Sequence, residues 1–214
     1  MPVPFFCRRR GAGEEVLLFQ GIKLAEFWFE WNIKCNFGSN PAIMKNYKIK
    51  KGDHFCSVSI FDRITSIGWN LKKYTVRFIL HGECWWAPSR NADDNDLNKL
   101  TGVAFGFGVH SNSVRLTWVP DFTTAGKIKI YAYTYNEKTT GPKFTFVYIT
   151  TVDTGDICDS SIEVQGDKYA ITVNGVTIQM DNKHKDPGIY NKLYPYFGGN
   201  NTAPQDMIIG IDYL

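Results

Sequence analysis

The sequence lacks most of the features that identify an enzyme class or a membrane protein. No apolar run is long enough to span a bilayer, which takes about 20 residues in a helix. Neither sign of charge dominates. The formal net charge is +3 and the only dense basic run is Arg8-Arg9-Arg10, too little for a nucleic-acid-binding stripe. There is no Gly-x-Ser-x-Gly elbow, no phosphate-binding loop and no dinucleotide fingerprint, so no cofactor is implied. The five cysteines, Cys7, Cys35, Cys56, Cys84 and Cys158, form no Cys-x-x-Cys pair. Their odd number argues against a disulfide-stapled scaffold and their spacing against zinc; buried reduced thiols are the expectation. Val16-Leu17-Leu18-Phe19 is too short for the apolar core of an export leader, and Glu14-Glu15 precede it. The chain is therefore expected to be made in the cytoplasm and to leave it, if at all, by lysis or assembly. No segment sustains a helical period.

What is present is alternation. From Glu26 onward, short runs rich in β-branched and aromatic residues are separated by turn clusters. The runs are Glu26–Lys34, His54–Phe61, Tyr74–Trp86, Thr101–Gly108, Ser113–Pro120, Lys127–Tyr135, Lys143–Val152, Ser160–Gln165, Tyr169–Met180, Lys192–Phe197 and Met207–Tyr213. Thr124-Ala125-Gly126, Thr140-Gly141-Pro142 and Asn174-Gly175 punctuate them, the last predicting a type I′ hairpin. The pattern predicts an all-β chain: a two-sheet antiparallel jelly-roll sandwich over residues 25–214, preceded by an N-terminal arm over residues 1–24.

Alternate strand residues face opposite sides, so faces can be assigned on paper. Val76, Phe78, Leu80 and Cys84 share one side of their run; Arg77, Ile79, His81, Glu83 and Trp85 share the other. Arg115 opposes Val114, Leu116 and Trp118. Lys129, Tyr131, Tyr133 and Tyr135 oppose Ile128, Ile130 and Ala132. If the three strands share a sheet, Arg77, His81, Glu83, Trp85, Arg115, Lys129, Tyr131, Tyr133 and Tyr135 make one surface. Tyr and Trp offer flat apolar area with a polar edge, suited to sugar rings, and Arg offers a fork for carboxylates. The same tyrosines suit cross-strand pairing or a subunit contact.

Two segments carry a resemblance. One is Asn98-Lys99-Leu100-Thr101-Gly102-Val103-Ala104-Phe105-Gly106 with His110 to Trp118; the other runs Leu193-Tyr194-Pro195-Tyr196-Phe197-Gly198-Gly199 to Met207. Together they resemble concanavalin A-like jelly rolls of polysaccharide lyases and glucanase-like proteins, modules also found in bacteriophage structural proteins. The lyase strands Arg-x-Glu-x-Arg and Gln-x-His are not matched: Arg77 and Glu83 have another spacing, and Gly108 stands two residues before His110. Tyr190-Asn191-Lys192-Leu193-Tyr194 loosely matches a third lyase strand, and the glucanase Glu-x-Asp-x-x-Glu is absent.

Glycoside hydrolysis needs two carboxylates across the bond, and only Glu83 lies on the assigned surface. A lyase needs a neutraliser, a base and an acid; Arg77 or Arg115, His81 or His110, and Tyr131 or Tyr133 could fill those roles. No metal site is expected, the one calcium candidate being the acidic loop Asp93, Asp94 and Asp96, which lacks EF-hand spacing. The leading expectation is a non-catalytic module that binds a glycan or neighbouring protein subunits, in a phage virion as a decoration or fibre component tethered by its arm. The alternative is a lyase acting on uronate polymers.

Overall fold

A computed structural model describes residues 44–89, 92–106, 112–136, 143–183 and 188–214, all within the unit Ala42–Leu214. The arm, the run Glu26–Lys34 and His110 lie outside the described residues. Among the described residues most alternating runs are extended, and antiparallel pairing gathers the strands, numbered along the chain, into two six-stranded sheets. Sheet I runs β1 (Lys45–Ile49), β12 (Met207–Tyr213), β3 (Lys73–Leu80), β8 (Ile157–Gln165), β9 (Lys168–Val173), β10 (Val176–Asp181). Sheet II runs β2 (Ile67–Trp69), β11 (Ile189–Leu193), β4 (Asn98–Phe105), β5 (Asn112–Pro120), β6 (Lys127–Asn136), β7 (Phe144–Asp153). No helix among the described residues is long and apolar enough to cross a membrane.

The apolar sides assigned from sequence form the core. Val76, Phe78 and Leu80 of β3, with Ile209 and Ile211 of β12, face Leu116 and Trp118 of β5 and Ile128 and Ile130 of β6; all are essentially inaccessible. Phe105 stacks on Tyr169 between the sheets, their ring centroids 6.1 Å apart. The turn at Asn174-Gly175 has φ of 48° and 82°, the left-handed pair a type I′ hairpin requires, and it joins β9 to β10. The described cysteines are free and buried.

Some expectations are corrected. The run His54–Phe61 is not a strand: Phe55 and Cys56 make isolated bridges, and the chain turns into a short helix, α1 (Ile60–Ile64). Ser59 caps α1, accepting from the Asp62 backbone N–H while the Asp62 carboxylate accepts from the Ser59 backbone. This Ser-x-x-Asp box outweighs the β propensity of its neighbours. The run Tyr74–Trp86 ends at Leu80, where Gly82–Cys84 form a 3₁₀ turn. Most consequentially, β3 lies in sheet I whereas β5 and β6 are neighbours in sheet II, so the three strands do not share a sheet.

Candidate functional site

The outer face of sheet II is built by register. Arg115 lies opposite Tyr133, Thr117 opposite Tyr131 and Val119 opposite Lys129, so these side chains share the face turned from the core. On the other side of Arg115 the partner is Gly102. Its φ is +155°, and a Cβ there would overlap the Val114 carbonyl and the Arg115 backbone, so only glycine lets β4 approach β5 this closely. The missing side chain leaves a floor between Arg115 and Leu193, which pairs with Gly102 from β11.

Over this floor opens a cleft of about 440 Å³. Arg115, Tyr133, Tyr135 and Lys99 form its strand side; Leu193 to Tyr196 form one wall; Phe55, Cys56, Val58 and Arg63 form another. The wall Leu193 to Tyr196 is thus the start of the segment that carries the jelly-roll resemblance. It is held by reciprocal backbone bonds, Lys99 N to Tyr196 O at 2.8 Å and Tyr196 N to Lys99 O at 2.9 Å. Phe55, 73% exposed, meets the Tyr196 ring edge-on at 5.0 Å and forms a rim, while His54 stacks on that ring.

Electrostatically the cleft is one-sided. Arg63, Lys99 and Arg115 line it, and none of the described lining residues is acidic. Arg115 is buried; its Nε donates to Ser113 Oγ at 3.1 Å, and burial lowers its pKa. Lys99 donates to Leu97 O at 2.6 Å and lies 5.3 Å from the Tyr133 ring centroid. Burial, seconded by Arg115 and opposed by Asp96, pushes the Lys99 ammonium down to about 8. Tyr133 is pushed up to about 12 by burial, against the pull of Arg115. Two desolvated cations held together are unfavourable for the free protein and favourable for an arriving anion. The Cys56 thiol, pushed up to about 12 by burial, is not a nucleophile here.

Of the residues assigned from sequence, Arg115, Tyr133 and Tyr135 line this cleft, and Tyr131 and Lys129 continue its face. Arg77, His81, Glu83 and Trp85 do not belong to it. Arg77 sits in sheet I, ion-paired with Asp159 at 2.9 Å. His81 precedes the 3₁₀ turn, Glu83 lies exposed within it, and Trp85 follows it, its indole N–H 3.5 Å from Asp121 O. Of the two histidines named as candidate lyase bases, His81 is thus not at the cleft, and His110 lies outside the described residues. The acidic loop is a staple: Asp94 is buried and its carboxylate accepts from Ser89 N at 2.6 Å and Ser89 Oγ at 2.8 Å. Asp96 packs against Gly199, and the side chain of Asp93 is not among those described.

Lys99, Tyr194 and Tyr196 were not foreseen. Lys99 escapes alternation because β4 and β5 slip register between Lys99 and Thr101. The signal for it is a lysine at a strand start, in Leu97-Asn98-Lys99-Leu100, an expensive place for a charge with no purpose.

No protein-family model matches the sequence, and no curated protein matches it. Among solved structures, the alginate lyase AlyC3 aligns with a TM-score of 0.53 at 14% identity, over 79% of this chain and 74% of that one. An endo-glucanase of glycoside hydrolase family 16 from Bacteroides ovatus aligns over 78% of each chain at 9% identity, with a TM-score of 0.48. A non-specific endo-β-1,3(4)-glucanase from family GH16 aligns over 68% of this chain at 16% identity and a TM-score of 0.47, and the match spans 57% of its length. At such identities the likeness is one of fold. With two antiparallel sheets in this order, the protein is a concanavalin A-like jelly-roll sandwich, the fold it shares with the alginate lyase AlyC3.

Proposed function

We propose that the domain binds a carboxylate-bearing polysaccharide in the cleft on sheet II, with the acid group between Arg115 and Lys99 and the sugar rings against Tyr133, Tyr135 and Tyr196. The observation that carries this reading is the paired cations in an aromatic cleft whose described lining contains no acid. A carboxylate there relieves the mutual repulsion of Lys99 and Arg115, and the guanidinium can meet it with parallel hydrogen bonds. A neutral glycan brings no negative charge to the two cations and gains nothing from them. The fold, shared with an alginate lyase, supports a carbohydrate ligand.

A second reading is favoured by one specific feature, the Tyr133 phenol facing Arg115. In β-elimination, charge neutralisation of the uronate carboxylate acidifies the proton on the adjacent carbon. Lys99, in its neutral form, takes that proton; the C–H electron pair becomes the C=C bond; the C–O bond to the leaving sugar breaks; and the Tyr133 hydroxyl donates its proton to the leaving oxygen. Burial brings the Lys99 ammonium down to about 8 and pushes the Tyr133 phenol up to about 12, so on the mildly alkaline side Lys99 is free to accept a proton while Tyr133 still holds one to give, as this division of labour needs. The virion reading rests on residues 1–24, which lie outside the described residues, and draws no support from the comparisons.

The test is an array of acidic and neutral polysaccharides scored for binding and for release of unsaturated, ultraviolet-absorbing ends. Binding to polyuronates that Arg115→Gln weakens at least about tenfold is expected, since a bond to a charged partner contributes about 1.5–3 kcal/mol. Release of unsaturated ends selects the lyase, with Tyr133→Phe abolishing it. Preference for neutral glycans, or none at all, refutes the anion clamp.

A further inference from the structure

The outer face of sheet II does not stop at the cleft. On β6 the outward residues continue from Tyr135 and Tyr133 to Tyr131 and Lys129, and on the edge strand β7 they are opposed by Phe144, Phe146 and Tyr148. Those three rings are 51%, 50% and 48% exposed. They are braced by the tyrosines of β6: Tyr133 stacks on Phe144 at 5.9 Å and 11°, and Tyr131 meets Phe146 and Tyr148 edge-on at 6.1 Å and 5.6 Å. Beyond them lies a second hollow of about 250 Å³, where Tyr131 and Phe146 meet Lys129, whose ammonium is 3.2 Å from the Asp121 carboxylate. From the Arg115 row to the Lys129 row is four residues of strand, roughly 13 Å at about 3.3 Å per residue, which is longer than one sugar ring.

A half-exposed aromatic strip along a sheet edge is a liability unless something covers it. Its chemistry differs from the cleft it adjoins. The cleft presents cations; the strip presents ring faces, and its one ammonium is answered by Asp121. Flat rings already fixed against each other lose little rotamer freedom on binding, which favours stacking.

We propose that this strip is a second binding surface continuous with the cleft, taking further sugar rings of the same acidic polymer by stacking, so that the polymer runs along β6 and β7. The inference rests on the acidic-polysaccharide reading above. It requires two contributions of different physical kind: a salt-sensitive one from the cleft, and a salt-insensitive one from the strip that only longer chains reach.

The experiment is calorimetric titration of the full chain with polyuronate oligosaccharides of graded length, using wild type and a Phe146→Ala/Tyr148→Ala variant. Both side chains are half-exposed, so the variant is expected to fold, as circular dichroism will check. Affinity is expected to rise in a second step once oligomers outgrow the cleft. The variant should lose about tenfold, or about 1.4 kcal/mol, for long oligomers only. That loss should be unchanged by added salt, while the affinity for short oligomers falls. Affinity independent of length, or an equal loss for short and long oligomers, overturns the strip while leaving the cleft intact. Short oligomers that do not bind wild type overturn the underlying reading and the strip with it. Sedimentation showing a wild-type dimer that the variant dissociates, with affinities unchanged, assigns the strip to a second copy and equally overturns the proposal.

Discussion

At Lys99, burial moves the titration of a cleft side chain toward neutral pH. A lysine lowered to about 8 by burial has a folded pKa below its unfolded one, so the folded state sheds its proton first. Below pH 8 both states carry the charge and the burial penalty is fully present. Between about 8 and the unfolded value of about 10.4 the penalty disappears and stability rises with pH. Lys99→Met is therefore expected to be more stable than wild type at pH 7 by about 1–2 kcal/mol, the gap closing toward pH 10. Melting temperatures across that range check it; a less stable variant at pH 7 would show that the bond to Leu97 O outweighs the charge. The same titration predicts that polyuronate affinity falls above pH 8, where the clamp loses one of its cations.

Among the elements, α1 depends most on one side chain. Asp62 accepts from Ser59 in the capping box and from the Lys45 ammonium of β1 at 2.6 Å, while its backbone carbonyl accepts from Tyr194 Oη at 2.6 Å. Helix, edge strand and cleft wall are thus joined at one residue. Burial works to raise the Asp62 carboxyl, but the hydrogen bonds from Lys45 and Ser59 prevail and hold it below its ordinary value. Its contribution is present at neutral pH and is lost as pH falls from about 4 through the depressed folded value. Asp62→Ala is expected to cost about 1–2 kcal/mol at pH 7 and progressively less in acid, measured by urea denaturation at both pH values. A constant difference would mean that packing, not the carboxylate, is responsible.

For the molecule as a whole, burial is uneven in a way that follows from topology. Except for Asn112 at its start, every residue of β5 is buried, on both faces of the strand, because β4 and β6 flank it and cleft side chains cover its outer face. The strands β7 and β10 each end a sheet, and β7 exposes most of its length. Amide exchange is expected to be slowest in β5 and β6, reporting global unfolding, and fastest in β7 and β10. Exchange mass spectrometry checks this, and a saturating polyuronate should slow exchange in β7 only if its aromatic strip is engaged.

Alternation alone determined the fold class, most strand positions, the Asn174-Gly175 hairpin and the inward or outward sense of residues on the regular strands. Arg115, Tyr131, Tyr133 and Tyr135 were legible for that reason: the period-2 rule is local, and these strands are regular. Whether two strands share a sheet is not local. The run holding Arg77 and His81 alternates just as β5 does, yet it pairs with β8 and β12, because pairing is settled by packing among residues far apart in sequence. The same holds for the cleft itself. Lys99 enters it through a register slip, Tyr194 and Tyr196 through an irregular segment, and Arg63 through the last turn of a short helix that interrupts a β-like run. Sequence periodicity specifies which side of a strand faces the core; only tertiary structure decides which strands, bulges and loops meet on the other side, and that is where the charges of this site come together.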